Sequence, residues 1–156
     1  MNRTLTAIAG LCLATTAAAQ EVAPTDVVYD DMGAIAVSLS GTPGDPVAGQ
    51  EVMTTRALGN CVACHQVTAL DAAFQGNVGP SLDGTGSRWD ESQLRGIVAN
   101  AKMTFPDTVM PSFYKVSGYV RPGDAFTGKA GTEPLPPLLT AQQIEDVVAY
   151  LTTLQD

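Results

Sequence analysis

The sequence predicts an all-α domain. Three stretches open on a helix-start signal, two of them with apolar residues at clear helical spacing, and polar connections rich in Gly, Pro and Asp separate them. The last stretch is the clearest. Thr140 with Gln143 forms a capping box, Leu139 is placed to staple against Ile144, and Ile144, Val147, Val148, Leu151 and Leu154 form one apolar face. Asp90 caps a second helix over residues 90–101, where Leu94, Ile97, Val98 and Ala101 make a single stripe. Asp45, with Pro46 at the first helical position, opens a third that runs toward Gly59.

Cys61, Val62, Ala63, Cys64 and His65 follow at once and make a C-x-x-C-H motif. Two intervening residues let two thiols add to the two vinyl groups of one haem, and the adjacent imidazole is then carried under the iron as proximal ligand. The other uses of such cysteines fit poorly. Structural zinc needs four protein ligands, whereas beyond Cys12 the chain offers two cysteines and one histidine. A thioredoxin-like pair calls for a preceding strand and a βαβ pattern. A disulfide between Cys61 and Cys64 would close a tiny strained loop with little entropic gain. One covalent haem c is therefore expected, supplying much of the core, and the chain is expected to fold poorly without it.

A second iron ligand follows by elimination. His65 is the only histidine, so a thioether is the usual remaining choice. Met32 lies in the N-terminal arm, and Met53 sits on the helix leading into the cysteines, on the attachment side. Met103 and Met110 remain. Met110 is preferred, because Pro111 fixes the backbone after it and confines Met110 to an extended conformation in a loop that also holds Phe113. The competing role for either methionine is core filling.

Residues 1–19 read as a secretory signal peptide. Arg3 is followed by an apolar stretch over 5–14 and by the small residues 15–19, with cleavage expected after Ala19 or Gln20. That stretch is too short to span a bilayer, so no membrane anchor is expected. Cys12 lacks the small preceding residue of a lipidation site, since Leu11 stands there. Export through the Sec pathway to the periplasm is the implied route. Loss of Arg3 leaves seven basic against sixteen acidic residues, a charge that disfavours nucleic acid and anionic membrane surfaces. Six of the seven are Arg88, Arg95, Lys102, Lys115, Arg121 and Lys129, either a solvated face or a positive rim near the haem edge. The mature chain divides into an arm over 20–44 and one domain over 45–156. In the arm Ile35, Val37 and Leu39 alternate with small residues at strand period, before Gly41, Pro43 and Gly44 break the pattern.

Cys61 to His65, Gly79 to Gly84, Met110 with Pro111, and Val147 to Leu151 together resemble the class I cytochromes c in order and spacing. Gly59 and Asn60, the segment 41–46, the loop 108–113 and the ending from Leu139 to Leu151 are similar, more narrowly, to the SoxX family. The resemblance implies the class I cytochrome c fold with an N-terminal extension. It implies that the Pro80 carbonyl accepts a hydrogen bond from the His65 ring, where a simple turn is the other role for Pro80. It also implies that Gly49 and Tyr150 mark a close crossing of terminal helices. SoxX relatives are electron-accepting subunits of SoxAX complexes, which are L-cysteine S-thiosulfotransferases. Their partner is a dihaem or monohaem SoxA chain, which joins thiosulfate oxidatively to a cysteine of the SoxYZ carrier protein. Electrons would then pass to a soluble cytochrome c. A freely diffusing carrier has the same haem requirements. Residues 27–39 are expected either to contact the partner or to form an intramolecular strand, and the Gly-rich stretch 119–132 exceeds the usual family loop.

Overall fold

The computed structural model describes residues 20–123 and 127–156. The expected signal peptide over 1–19, with Cys12, lies outside these residues. Among the described residues four α-helices form in chain order: α1 (Pro46–Thr54), α2 (Thr85–Arg88), α3 (Glu91–Asn100) and α4 (Ala141–Thr153). Two 3₁₀ turns, Cys61–Ala63 and Ala101–Met103, complete the set. Among the described residues there is no strand, only an isolated bridge between Gly123 and Ala130. An all-α fold is thus what these residues adopt.

Each expected helix starts at its expected cap. The Asp45 carboxylate accepts from Val47 N at 2.8 Å, ahead of Pro46. Asp90 and Gln93 close a full capping box, as do Thr140 and Gln143. α1 is shorter than its sequence suggests, ending at Thr54, and the chain reaches Gly59 through a turn in which Gly59 N and Asn60 N both bond Val52 O. The short α2 has no signal beyond Gly84 in the left-handed region before it.

α1 and α3 both pack on α4. The closest approach is at Gly49, where a Cβ would stand 2.0 Å from Asp146 O and 3.0 Å from Tyr150 Cβ, so only glycine fits against α4 there. On α4, Ile144, Val147, Val148 and Leu151 are buried as their spacing requires, and Leu139 is buried beside them.

The arm differs from its expected form. Ile35 and Leu39 are fully buried, but Val37 between them is 58% exposed, and the described residues contain no partner strand. Its backbone groups are satisfied one at a time. Val22 N bonds Leu39 O, Ile35 N bonds Ser92 O, Leu39 N reaches the Glu145 carboxylate, and Arg95 Nη1 donates to Ile35 O. An irregular chain anchored by side chains therefore replaces the strand. Arg95 is only 3% exposed and belongs to neither a solvated face nor a positive rim.

Candidate haem site

The turn that carries the cysteines is wound tightly. Asn60 takes a left-handed conformation, with φ 46°, which asparagine tolerates better than most residues. Ala63 N then bonds Asn60 O, and both Cys64 N and His65 N bond Cys61 O at 3.0 and 2.9 Å. Three residues are enough to turn the chain between the two thiols. Both thiols are free, Cys64 exposed and Cys61 half-buried. Burial pushes the Cys61 thiol up to about 11.

A second segment lies along this turn. Gly76 N bonds Val62 O, Gly79 N bonds Cys64 O and Leu82 N bonds Gln66 O, each at 2.8 to 2.9 Å. The approach demands glycine twice. A Cβ on Gly76 would stand 2.1 Å from Ala63 O, and one on Gly79 would stand 2.3 Å from His65 Cε1. The His65 ring thus rests against the Gly79 backbone, and its Nδ1 lies 2.7 Å from Pro80 O. Donation to a carbonyl places the proton on Nδ1 and leaves the Nε2 lone pair available.

Polar side chains fasten this assembly from outside. Gln75 accepts from Val67 N at 2.6 Å and donates to the carbonyls of Val67 and Leu70. Asp83 accepts from Thr68 N at 2.8 Å and from Thr68 Oγ1 at 2.6 Å, and the Thr68 hydroxyl bond leads the effects that hold its carboxyl below the usual range. Arg88 donates to the carbonyls of Asp83 and Ser81. Sequence reading missed the roles of Gly76, Gln75 and the Gly79 contact. The two glycines shortly before Pro80 were the available signal.

The methionines separate by environment. Met53 is fully buried in α1, and Met32 is 72% exposed on the arm. Met103 ends the second 3₁₀ turn and is 46% exposed. Met110 is partly buried and packs against the same apolar core as Cys61. Its N–H bonds Thr108 Oγ1 at 3.2 Å, and its carbonyl accepts from Lys102 Nζ at 2.6 Å. Beyond it, the stretch after Val116 is organised by Glu133, whose carboxylate accepts from Gly118 N and Tyr119 N.

Residues 46–155 match the family model of cytochrome c. The chain belongs to the cytochrome c family. Covalent haem c is the cofactor that membership implies. A chain of the crystal structure of SoxXA from P. pantotrophus aligns with this cytochrome at 64% identity and a TM-score of 0.85, covering 88% of this chain and all of that one. The resemblance to SoxX read in the sequence is therefore shown, and this is a SoxX-type electron-transfer cytochrome. No curated protein matches it. No helix among the described residues is long and apolar enough to cross a membrane.

Proposed function

We propose that this cytochrome is an exported, periplasmic, monohaem chain. In this reading residues 1–19 are the cleaved signal, 20–44 the arm and 45–156 the cytochrome domain. It serves as the electron-accepting subunit of a SoxAX-type complex that conjugates thiosulfate to a carrier-protein cysteine, and it hands electrons to a soluble cytochrome c. The observation that carries the electron-transfer reading is the His65 ring, seated on Gly79 with Nδ1 on Pro80 O at 2.7 Å.

The donor set fits one haem c. Cys61 and Cys64 supply two unpaired thiols on one turn, and His65 supplies a single oriented nitrogen. Met110 is the fourth residue of the site, in a loop tied down on both sides of its side chain. Haem c supplies a one-electron iron couple when bound. If His65 and Met110 both bind the haem iron, this chain would leave no position on it for a substrate. Sulfur chemistry then falls to the SoxA-type subunit and the SoxYZ carrier it serves.

Likeness to a chain of SoxXA supports the partnership. The arm supports it too. Ile35 and Leu39 anchor it, while Val28, Met32 and Val37 are exposed at 76%, 72% and 58%, apolar side chains that a partner could cover. Affinity purification of the secreted chain followed by haem staining tests the proposal. A second haem-bearing subunit is expected, and Val37→Asp is expected to release it without loss of haem from this chain. A monodisperse, partner-free chain isolated from its source would instead identify a freely diffusing carrier.

A further inference from the structure

The loop that holds Met110 is fastened at three of its alternate positions to the end of α3 and to the 3₁₀ turn that follows it. Tyr114 N bonds Ala99 O at 2.9 Å, Ser112 Oγ donates to Asn100 Oδ1 at 2.6 Å, and Lys102 Nζ donates to Met110 O at 2.6 Å. The two segments therefore run antiparallel, with residues 114, 112 and 110 facing 99, 100 and 102. Lys102 makes the last of these contacts and the only one to Met110 itself.

The peptide after Met110 has no N–H, because Pro111 follows. That peptide can thus be hydrogen-bonded from the α3 side only through its carbonyl. Lys102 provides that restraint through a charge-assisted bond, stronger than a neutral one. The Met110 N–H turns the other way, onto Thr108 within its own loop. Without Lys102, α3 would hold the loop only from Ser112 onward.

We propose that Lys102 is a positioning residue for Met110, holding its main chain so that the thioether is presented to the iron at reduced entropic cost. The proposal rests on the reading of Met110 as an iron ligand. Lys102 is exposed, so its contribution is limited by solvent screening and the expected effect is moderate.

External imidazole binds oxidised haem-loaded protein only when the thioether is displaced, so its apparent affinity reports the fraction of iron free of methionine. Lys102→Leu keeps the apolar stem and removes the donor. Its imidazole affinity is expected to rise about three- to tenfold, with a weaker long-wavelength thioether band, while Lys102→Arg stays near the parent. Lys115→Leu, which removes a lysine that bonds Gly118 O instead, is expected to change neither. A parent-like affinity in Lys102→Leu, or an equal rise in Lys115→Leu, overturns the proposal. Met110→Ala separates the two claims. If it keeps the band and the parent affinity, the ligand reading fails. If it loses the band while Lys102→Leu behaves as the parent, only the role of Lys102 fails.

Discussion

Arg95 and Glu145 meet side by side in the interior, each 3% exposed, with Arg95 Nε 2.9 and 3.1 Å from the two carboxylate oxygens and Nη2 3.0 Å from one of them. The fork joins α3 to α4, and the same two side chains hold the arm at Ile35 O and Leu39 N. Burial by itself would lower the Arg95 pKa, but the hydrogen bonds and charge of Glu145, helped by Glu91, hold it above its usual value.

Removing Glu145 leaves Arg95 buried with only the exposed carboxylate of Glu91 as a charged partner. Glu145→Ala is expected to cost about 3–5 kcal/mol and to free the arm. Urea unfolding of the haem-loaded chain measures the loss, and limited proteolysis within residues 20–44 reports the release. A midpoint equal to the parent's, with the arm as resistant to cleavage as before, would show that Glu145 does not hold it.

Gly79→Ala places a methyl group where the His65 ring lies. The ring must move, and Nδ1 then loses Pro80 O. Secreted Gly79→Ala is expected to show less covalent haem per polypeptide than Gly128→Ala, a change at a site with nothing within 4 Å. Both glycines should be compared by haem stain and mass, although Gly128 has φ 70° and carries its own small backbone cost. Equal loading would contradict the tight fit at Gly79.

Asp83 has its pKa lowered from 3.8, with the Thr68 hydroxyl bond as the largest cause. A carboxyl depressed in the folded state contributes stability that is complete above its unfolded value and is lost as pH falls through the folded value. The loss therefore falls in the acid window below about pH 4. Thr68→Val should raise the Asp83 pKa toward 3.8, read by NMR titration, and should lower stability above about pH 4, with the difference from the parent vanishing in stronger acid. An unmoved Asp83 would show that the backbone bond suffices.

Met110 and Met103 can be told apart directly. Met110→Ala is expected to abolish the long-wavelength thioether band of the oxidised protein, and Met103→Ala to preserve it. The reverse pattern would transfer the ligand role to Met103, whose side chain is the more exposed of the two.

What was legible in the sequence was local. Asp45, Asp90 and Thr140 act within three residues of themselves, and all three cap the helices expected of them. The tight cysteine turn is likewise written in five consecutive positions. The alternation of Ile35, Val37 and Leu39 misled because period two implies a partner strand only if one is near; here α3 and α4 supply single side chains instead. Arg95 looked like any surface cation, since its partner lies fifty residues away. Gln75, Asp83 and Lys102 act on main-chain atoms brought close by folding, and no spacing rule marks such contacts.

The most direct measurement is the intact mass of the exported polypeptide, taken alongside Cys61→Ser and Cys64→Ser. The account predicts a chain shortened at its N-terminus and heavier by one haem, with the covalent attachment weakened when either thiol is removed and abolished when both are. A secreted chain with no added macrocycle, or one that keeps its full covalent load without both cysteines, would contradict it.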